Sequence, residues 1–136
     1  YQAMFITAIL GRINLEKKEM EFINMGHEPM MVLDEKFNFE YIKSTLPPMG
    51  LMPIKDESFF KTTLMNISNK TILIYTDGVT EGYIDEGKEL EVEGLENEIK
   101  KLNTTAPEII INHVTKILTE KNFILRDDIT ALGIKI

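Results

Sequence analysis

Lys70-Thr71-Ile72-Leu73-Ile74-Tyr75-Thr76 runs straight into Asp77-Gly78-Val79-Thr80-Glu81, and this junction decides how the rest of the chain is read. The first half is almost unbroken in apolar and β-branched residues, which predicts a strand covered on both faces. Such a strand belongs inside a layered sheet. It delivers Asp77 on rigid backbone at its C-terminal end, where Gly78 leaves room for a ligand or a metal-bound water to approach. Asp-Gly is also an ordinary turn dipeptide, and the local pattern by itself favours that plainer reading.

A second acidic junction lies fifty residues on, at Arg126-Asp127-Asp128-Ile129-Thr130, ahead of a closing strand expected over Ile129 to Ile136. Adjacent carboxylates repel unless a cation or strong donors compensate them. A hard divalent cation such as Mg²⁺ or Mn²⁺ takes oxygen ligands and suits that task. Alone, the pair is more often a solvated turn than a site, with Arg126 in a weak surface pairing. Taken together the two junctions say more. Both stand at ends of strongly apolar strands, and neighbouring strand ends can bring them close. That makes a carboxylate cage for a two-metal centre, which activates water and neutralises charge on a transferring phosphoryl group.

Outward from these junctions the chain alternates strands and turns. Met4 to Ile13 and Glu19 to Met25 predict a β-hairpin, and Met30 to Leu33, Phe39 to Ile42 and Ser58 to Met65 predict further strands. Leu46 to Pro53 carries three prolines and a glycine, so neither helix nor central strand fits and an ordered loop is expected. Val92, Leu95, Ile99 and Leu102 recur at helical spacing. A second helix is expected from a Thr105/Glu108 capping box with Pro107 in the first turn. Its apolar stripe is Ile110, Val114, Ile117 and Leu118, ending near Lys121-Asn122. Hairpin-linked strands with two late helices predict an α+β layered antiparallel sheet in a single domain, not an alternating βαβ fold.

The chain has 136 residues with 15 Lys plus Arg against 22 Asp plus Glu, a net charge of −7. That sign opposes a phosphate backbone, and no long basic cluster offsets it, so nucleic acid is excluded as the main partner. The absence of cysteine rules out disulfides, thiolate metal sites and a Cys nucleophile, and fits a reducing cytoplasm. No apolar stretch approaches the ~18 residues that span a bilayer, so no membrane contact is expected from this segment. The chain opens Tyr1-Gln2-Ala3 and enters a strand-like run at once, which reads as a cut inside a larger chain.

Asp77-Gly78-Val79-Thr80-Glu81 and Asp127-Asp128-Ile129-Thr130, in that order and spacing, resemble the stage II sporulation protein E (SpoIIE) type of bacterial serine/threonine phosphatase, a group within the metal-dependent PPM phosphatases. Met4-Phe5-Ile6-Thr7-Ala8 is similar to that family's strand after its first helix. Asn24-Met25-Gly26-His27-Glu28-Pro29 is similar to its Asn-x-Gly-His-x-Pro motif, and Leu46-Pro47-Pro48-Met49-Gly50 to its Pro-Leu-Gly loop. The likeness covers essentially the whole chain. It implies a PPM-like antiparallel β-sandwich flanked by α-helices, with Mn²⁺ or Mg²⁺ at one edge. It also implies hydrolysis of phosphoserine or phosphothreonine by metal-activated water, without a phosphoenzyme, on a phosphorylated anti-anti-sigma (STAS) domain. Asp77 would be a metal ligand, with Gly78 contributing through backbone or bound water. Asp127 matches the last metal-binding Asp, with Asp128 a second candidate.

Two departures accompany the likeness. The family's first metal Asp, in an Asp-x-Ser-Gly-His-Gly type motif, lies upstream of the segment matching Met4 to Ala8 and has no counterpart in this sequence. The usual Phe-Gly ahead of the later helix is also replaced, around Leu90 to Gly94. The chain therefore reads as the C-terminal part of one phosphatase domain, residues 1–136, without the opening strands and inactive alone. A phosphatase-like regulatory module that binds a STAS partner without hydrolysis is the alternative. An unrelated Ca²⁺-binding β domain ranks last because no Asp-x-Asp-x-Asp-Gly loop occurs.

Other polar residues are set aside. His27 sits in a Gly-x-x-Pro turn and is assigned to shaping the hairpin, not to acid/base work. His113 is read as a bystander in a helix. The eight methionines are core filling or adaptable surface. Ser44, Ser58 and Ser68 lack a nucleophile elbow. Residues 85–89 are read as a solvated loop close enough to touch a protein substrate. A sandwich that has lost strands exposes apolar surface or a sheet edge, so a homodimer or a compensating contact is expected.

Overall fold

The computed structural model describes residues 4–53, 56–120 and 127–136. The strands are β1 (Ala8–Asn14), β2 (Glu19–Met25), β3 (Met30–Asp34), β4 (Phe39–Ile42), β5 (Thr63–Asn66) and β6 (Lys70–Tyr75). A single helical turn α1 (Asp77–Thr80) follows. Then come β7 (Tyr83–Asp85), β8 (Lys88–Glu89), α2 (Glu91–Leu102), α3 (Pro107–Thr119) and β9 (Ala131–Lys135). They form a three-stranded sheet in the order β1-β2-β5, a four-stranded sheet β4-β3-β6-β9, and the small hairpin β7-β8. Every pairing between these strands is antiparallel. The expected α+β antiparallel architecture is present.

β6 occupies the position its composition demands. Side chains alternate across a strand, so Ile72 points to one face and Leu73 and Tyr75 to the other. Ile72 packs with Met30 and Val32 against Met20, Phe22 and Ile67 of the three-stranded sheet side. Leu73 and Tyr75, with Met31 and Leu33, meet Leu95, Ile99, Ile110, Val114 and Leu118 from the helices. The middle sheet is therefore covered on both sides. Each fully buried Leu or Ile in these two cores is worth roughly 1.5–3 kcal/mol of transfer free energy.

Several boundaries differ from the sequence expectation. The first strand begins at Ala8, and of the preceding residues Ile6 exchanges backbone hydrogen bonds with Met49 at 2.9 and 2.8 Å. The strand expected over Ser58 to Met65 starts only at Thr63. Before it, Asp56 accepts the Ser58 amide at 2.8 Å and turns residues 57–59 into a short 3-10 segment. The closing strand starts at Ala131. The run 85–89 is not a simple loop but belongs to the β7-β8 hairpin. The opening Tyr1-Gln2-Ala3 and the Lys121 to Arg126 stretch, including the expected end of the second helix and the Arg126 pairing, lie outside the described residues.

The Thr105/Glu108 capping box does not form. Ala106 is the residue that precedes the first helical position, Pro107, and it carries no capping side chain. Thr105 stands one residue too early, and its groups are used elsewhere. Its hydroxyl accepts from Lys135 Nζ at 2.7 Å, and its carbonyl accepts from the Thr71 hydroxyl at 2.6 Å. Thr104 supplies the local substitute by accepting the Ala106 amide at 3.2 Å.

Gly133 lets α3 approach β9 closely, since a Cβ there would stand 2.4 Å from Pro107 Cβ. On the far side of the molecule, the outer face of the three-stranded sheet stays exposed at Leu10 and Leu64, 61% and 64% accessible.

Candidate functional site

β6 and β9 run antiparallel with Tyr75 opposite Ala131, so the C-terminal end of one lies beside the N-terminal end of the other. This register places Asp77 and Asp127-Asp128 at one end of the sheet, as the paired-junction reading requires. The ladder continues one step past β6, where the Thr76 amide donates to the Thr130 carbonyl at 3.0 Å. The Thr76 side chain then takes over. Its hydroxyl accepts from the Thr130 amide and donates to the Asp128 carbonyl, both at 3.0 Å. Immediately after it the backbone coils into α1, where the Asp77 carbonyl accepts from the Glu81 amide at 2.8 Å.

Gly78 is buried against the opposing segment. A Cβ at this position would lie 2.5 Å from the Asp128 carbonyl oxygen, closer than any side chain tolerates. The Asp77-Gly78 pair therefore serves close approach of two backbones, beyond the turn that the dipeptide alone suggests. Asp77, Asp127 and Asp128 are all exposed. Asp77 Oδ1 accepts from the Gly78 amide at 2.9 Å, and Asp127 Oδ1 accepts from the Asp128 amide at 2.7 Å. Each bond fixes one carboxylate oxygen near its own backbone.

The donor chemistry fits a hard divalent cation: carboxylate and backbone oxygens on two touching segments. The set is incomplete, because no group of three His, Cys, Asp or Glu side chains capable of holding a metal ion occurs among the described residues. An open groove of about 750 Å³ adjoins the pair, lined by Ile111, Thr115 and Thr119 of α3 and by residues 127–131.

The Asn24 to Pro29 motif works as structure. Asn24 is buried; its Oδ1 accepts the His27 amide at 2.9 Å and its Nδ2 donates to the Glu28 carbonyl at 3.3 Å. Ser44 joins this knot, accepting the Gly26 amide at 2.7 Å and donating toward the Asn24 carbonyl at 3.0 Å and the Leu46 carbonyl at 2.6 Å. Gly26 has φ +68°, and a Cβ there would strike the Pro48 ring at 2.3 Å. The motif thus locks the proline-rich loop to the end of β2. Because β3 pairs with β6, this turn sits at the same sheet end as Asp77. Burial, then the Glu28 and Glu96 carboxylates, push the Tyr75 hydroxyl up to about 12.

His113 is not the bystander its sequence context suggests, since its Nε2 lies 2.8 Å from Glu98 Oε2 and ties α3 to α2. In the sequence Thr76 reads only as the last residue of the strand run, with no role of its own. A threonine ahead of a strand-end Asp is a visible signal, but its partners lie more than fifty residues away.

Comparison with known proteins agrees with this fold. Residues 1–136 match the Stage II sporulation protein E (SpoIIE) family. Protein IcfG of Synechocystis is 39% identical over 80 residues, covering 58% of this chain and 12% of its own length. Phosphoserine phosphatase RsbU of Bacillus subtilis is 28% identical over 136 residues, covering 98% of this chain and 39% of its own. The chain therefore spans well under half the length of these relatives. Among solved structures, the phosphatase domain of the cell fate determinant SpoIIE from Bacillus subtilis, presoaked with Mn, superposes with a TM-score of 0.67 at 18% identity. The match covers 96% of this chain and 56% of that one. Five ordered motifs, a shared α+β sandwich and a match along the full sequence lead to one assignment: the chain belongs to the SpoIIE family.

Proposed function

We propose that this chain is the C-terminal part of a metal-dependent protein serine/threonine phosphatase domain and supplies the Asp77 and Asp127-Asp128 portion of its metal centre. The observation that carries this reading is the contact between the two acidic junctions, bonded through Thr76 and touching at Gly78. Asp77 and Asp127 are the side chains assigned to the cation, with Asp128 as a further donor and Gly78 contributing through its backbone or a bound water. Mn²⁺ or Mg²⁺ suits these oxygens, and when bound it would lower the pKa of a water and offset charge on the phosphoryl group. The rest is the work of the protein itself. α1 and the β6-β9 ladder hold the carboxylates on rigid backbone, and the β7-β8 hairpin that follows α1 in the chain offers a surface for a protein substrate.

A phosphorylated STAS-domain regulator in the cytoplasm is the substrate that the family likeness favours, and a relative named as a phosphoserine phosphatase supports the bond type. The rival reading is a regulatory module that binds such a partner without hydrolysis, favoured where the full-length protein also lacks the family's first metal Asp.

The test is Mn²⁺-dependent phosphate release from a phosphoserine peptide and from a phosphorylated STAS domain, using the full-length protein. Asp77→Asn is expected to lower the rate by more than the ~10²-fold that loss of a supporting residue costs. Absence of release with partner binding intact would establish the regulatory module instead.

A further inference from the structure

Within the reading of Asp77 and Asp127-Asp128 as metal ligands, we propose that Thr76 is a positioning residue whose hydroxyl sets the distance between the two ligand-bearing segments. The need for it arises from the fold. β6 ends at Tyr75 and the chain turns into α1 at Asp77, so the backbone stops supplying ladder partners where β9's leading segment still requires them. Two groups of that segment face the gap, the Thr130 amide and the Asp128 carbonyl. One is a donor and the other an acceptor.

A hydroxyl is a donor and an acceptor at once, and the Thr76 Oγ1 satisfies both at 3.0 Å. It acts as one further rung of the ladder made by a side chain. The Thr76 amide, bonded to the Thr130 carbonyl at 3.0 Å, fixes the base from which that side chain projects. Gly78 allows the close approach, because a Cβ there would lie 2.5 Å from the Asp128 carbonyl oxygen. The carboxylates of Asp77 and Asp127-Asp128 repel one another, so something must hold their carriers together before a cation does. Thr76 is placed to do so without touching the cation. Its β-branched side chain is also stiff about χ1, which pins the hydroxyl's direction.

Three substitutions separate the hydroxyl from bulk. Thr76→Val keeps the shape and removes both bonds, Thr76→Ser keeps the hydroxyl, and Thr76→Ala removes hydroxyl and methyl alike. In the full-length protein, Mn²⁺ binding is read by paramagnetic resonance of free Mn²⁺, and amide exchange at Thr130 reads the clip directly. Thr76→Val is expected to weaken Mn²⁺ binding about 10- to 100-fold, with faster exchange at Thr130, and to raise the Mn²⁺ needed for half-maximal rate more than it lowers kcat at saturation. Thr76→Ser is expected to stay within about threefold of the parent, well short of that loss.

Parent-like binding in Thr76→Val, or a serine variant as weak as the valine one, overturns the proposal. Should Thr76→Val fail to fold, Thr76→Ala takes its place. If both unfold, the hydroxyl holds the fold as a whole and the positioning role is refuted. Asp77→Asn identifies which idea has failed. Binding lost there but kept in Thr76→Val defeats the Thr76 role alone. Binding unaffected by Asp77→Asn defeats the ligand assignment and the Thr76 role with it.

Discussion

Glu91 opens α2 with φ +56°, in the left-handed region where a Cβ crowds the following carbonyl. The preceding residue explains why it is held there. Leu90 is buried, and its amide donates to the Gly82 carbonyl at 2.8 Å, so the chain must turn sharply to start the helix. The Phe-Gly usual in the resembling family ahead of this helix is replaced around Leu90 to Gly94. Glu91→Gly is therefore expected to stabilise the protein by about 1 kcal/mol, the cost of a non-glycine residue in this conformation. A rise in the urea midpoint at unchanged m checks it, and an unchanged or lower midpoint would refute it. The departure from the family pattern was readable in the sequence; its conformational meaning was not, because φ is fixed by Leu90's burial. Thr105 teaches the same lesson in reverse. Its spacing to Glu108 was a sound local signal, and a one-residue shift of the helix start, with long-range bonds to Thr71 and Lys135, overrode it.

Between elements, the α2-α3 contact carries a tie through the Glu98 carboxylate that depends on pH. Glu98 accepts from Lys101 Nζ at 2.6 Å on its own helix and meets His113 Nε2 at 2.8 Å on the next. The Lys101 hydrogen bond, then the His113 one, hold its carboxyl below the ordinary 4.5 against a partial opposing effect of burial. A folded-state value below the unfolded one means that the stability supplied by the Glu98 carboxylate is fully present above about pH 5 and is lost as pH falls through the depressed value. Glu98→Gln should flatten stability against pH in that acidic window while leaving the profile above pH 6 parallel to the parent. An unaltered acid limb in urea titrations would refute the assignment. Apolar patterning marked both helices and the strands β2, β3, β4 and β6, the helices by spaced stripes and β6 by its nearly unbroken apolar run. The small pieces escaped it. α1, β7 and β8 are too short for a period, and they exist because of contacts such as Leu90 with Gly82.

Across the whole molecule, the sandwich itself was legible because β6 reads as covered on both faces, and Ile72 and Leu73 do face different cores. The candidate site was legible only as two separate junctions. Their union depends on the pairing of Tyr75 with Ala131, which no local pattern encodes. The outer face of the three-stranded sheet is the least settled surface, with Leu10 and Leu64 as exposed as polar residues usually are. Paired replacement of Leu10 and Leu64 by lysine is expected to reduce binding of a hydrophobic dye to the 136-residue chain, with its circular dichroism unchanged. Dye binding equal to the parent would show that the face is not the accessible apolar surface. Sedimentation of the same chain at micromolar concentration tests the expected homodimer, and a clean monomer would remove that expectation.

The pairing of β6 with β9 also has a consequence in time. Tyr75 and Ala131 are joined by the register although 56 positions separate them, and closing a loop of that size costs about 3–4 kcal/mol of chain entropy. Nothing at the acidic sheet end can recover that cost until β9 docks, because every bond from Thr76 across the gap is made to residues 128–130. During synthesis, Asp77 therefore leaves the ribosome long before its counterpart exists, and the hairpins upstream can pair while it waits. The acidic pocket is then among the last features to mature, and a nascent chain arrested before residue 127 has no means of assembling it.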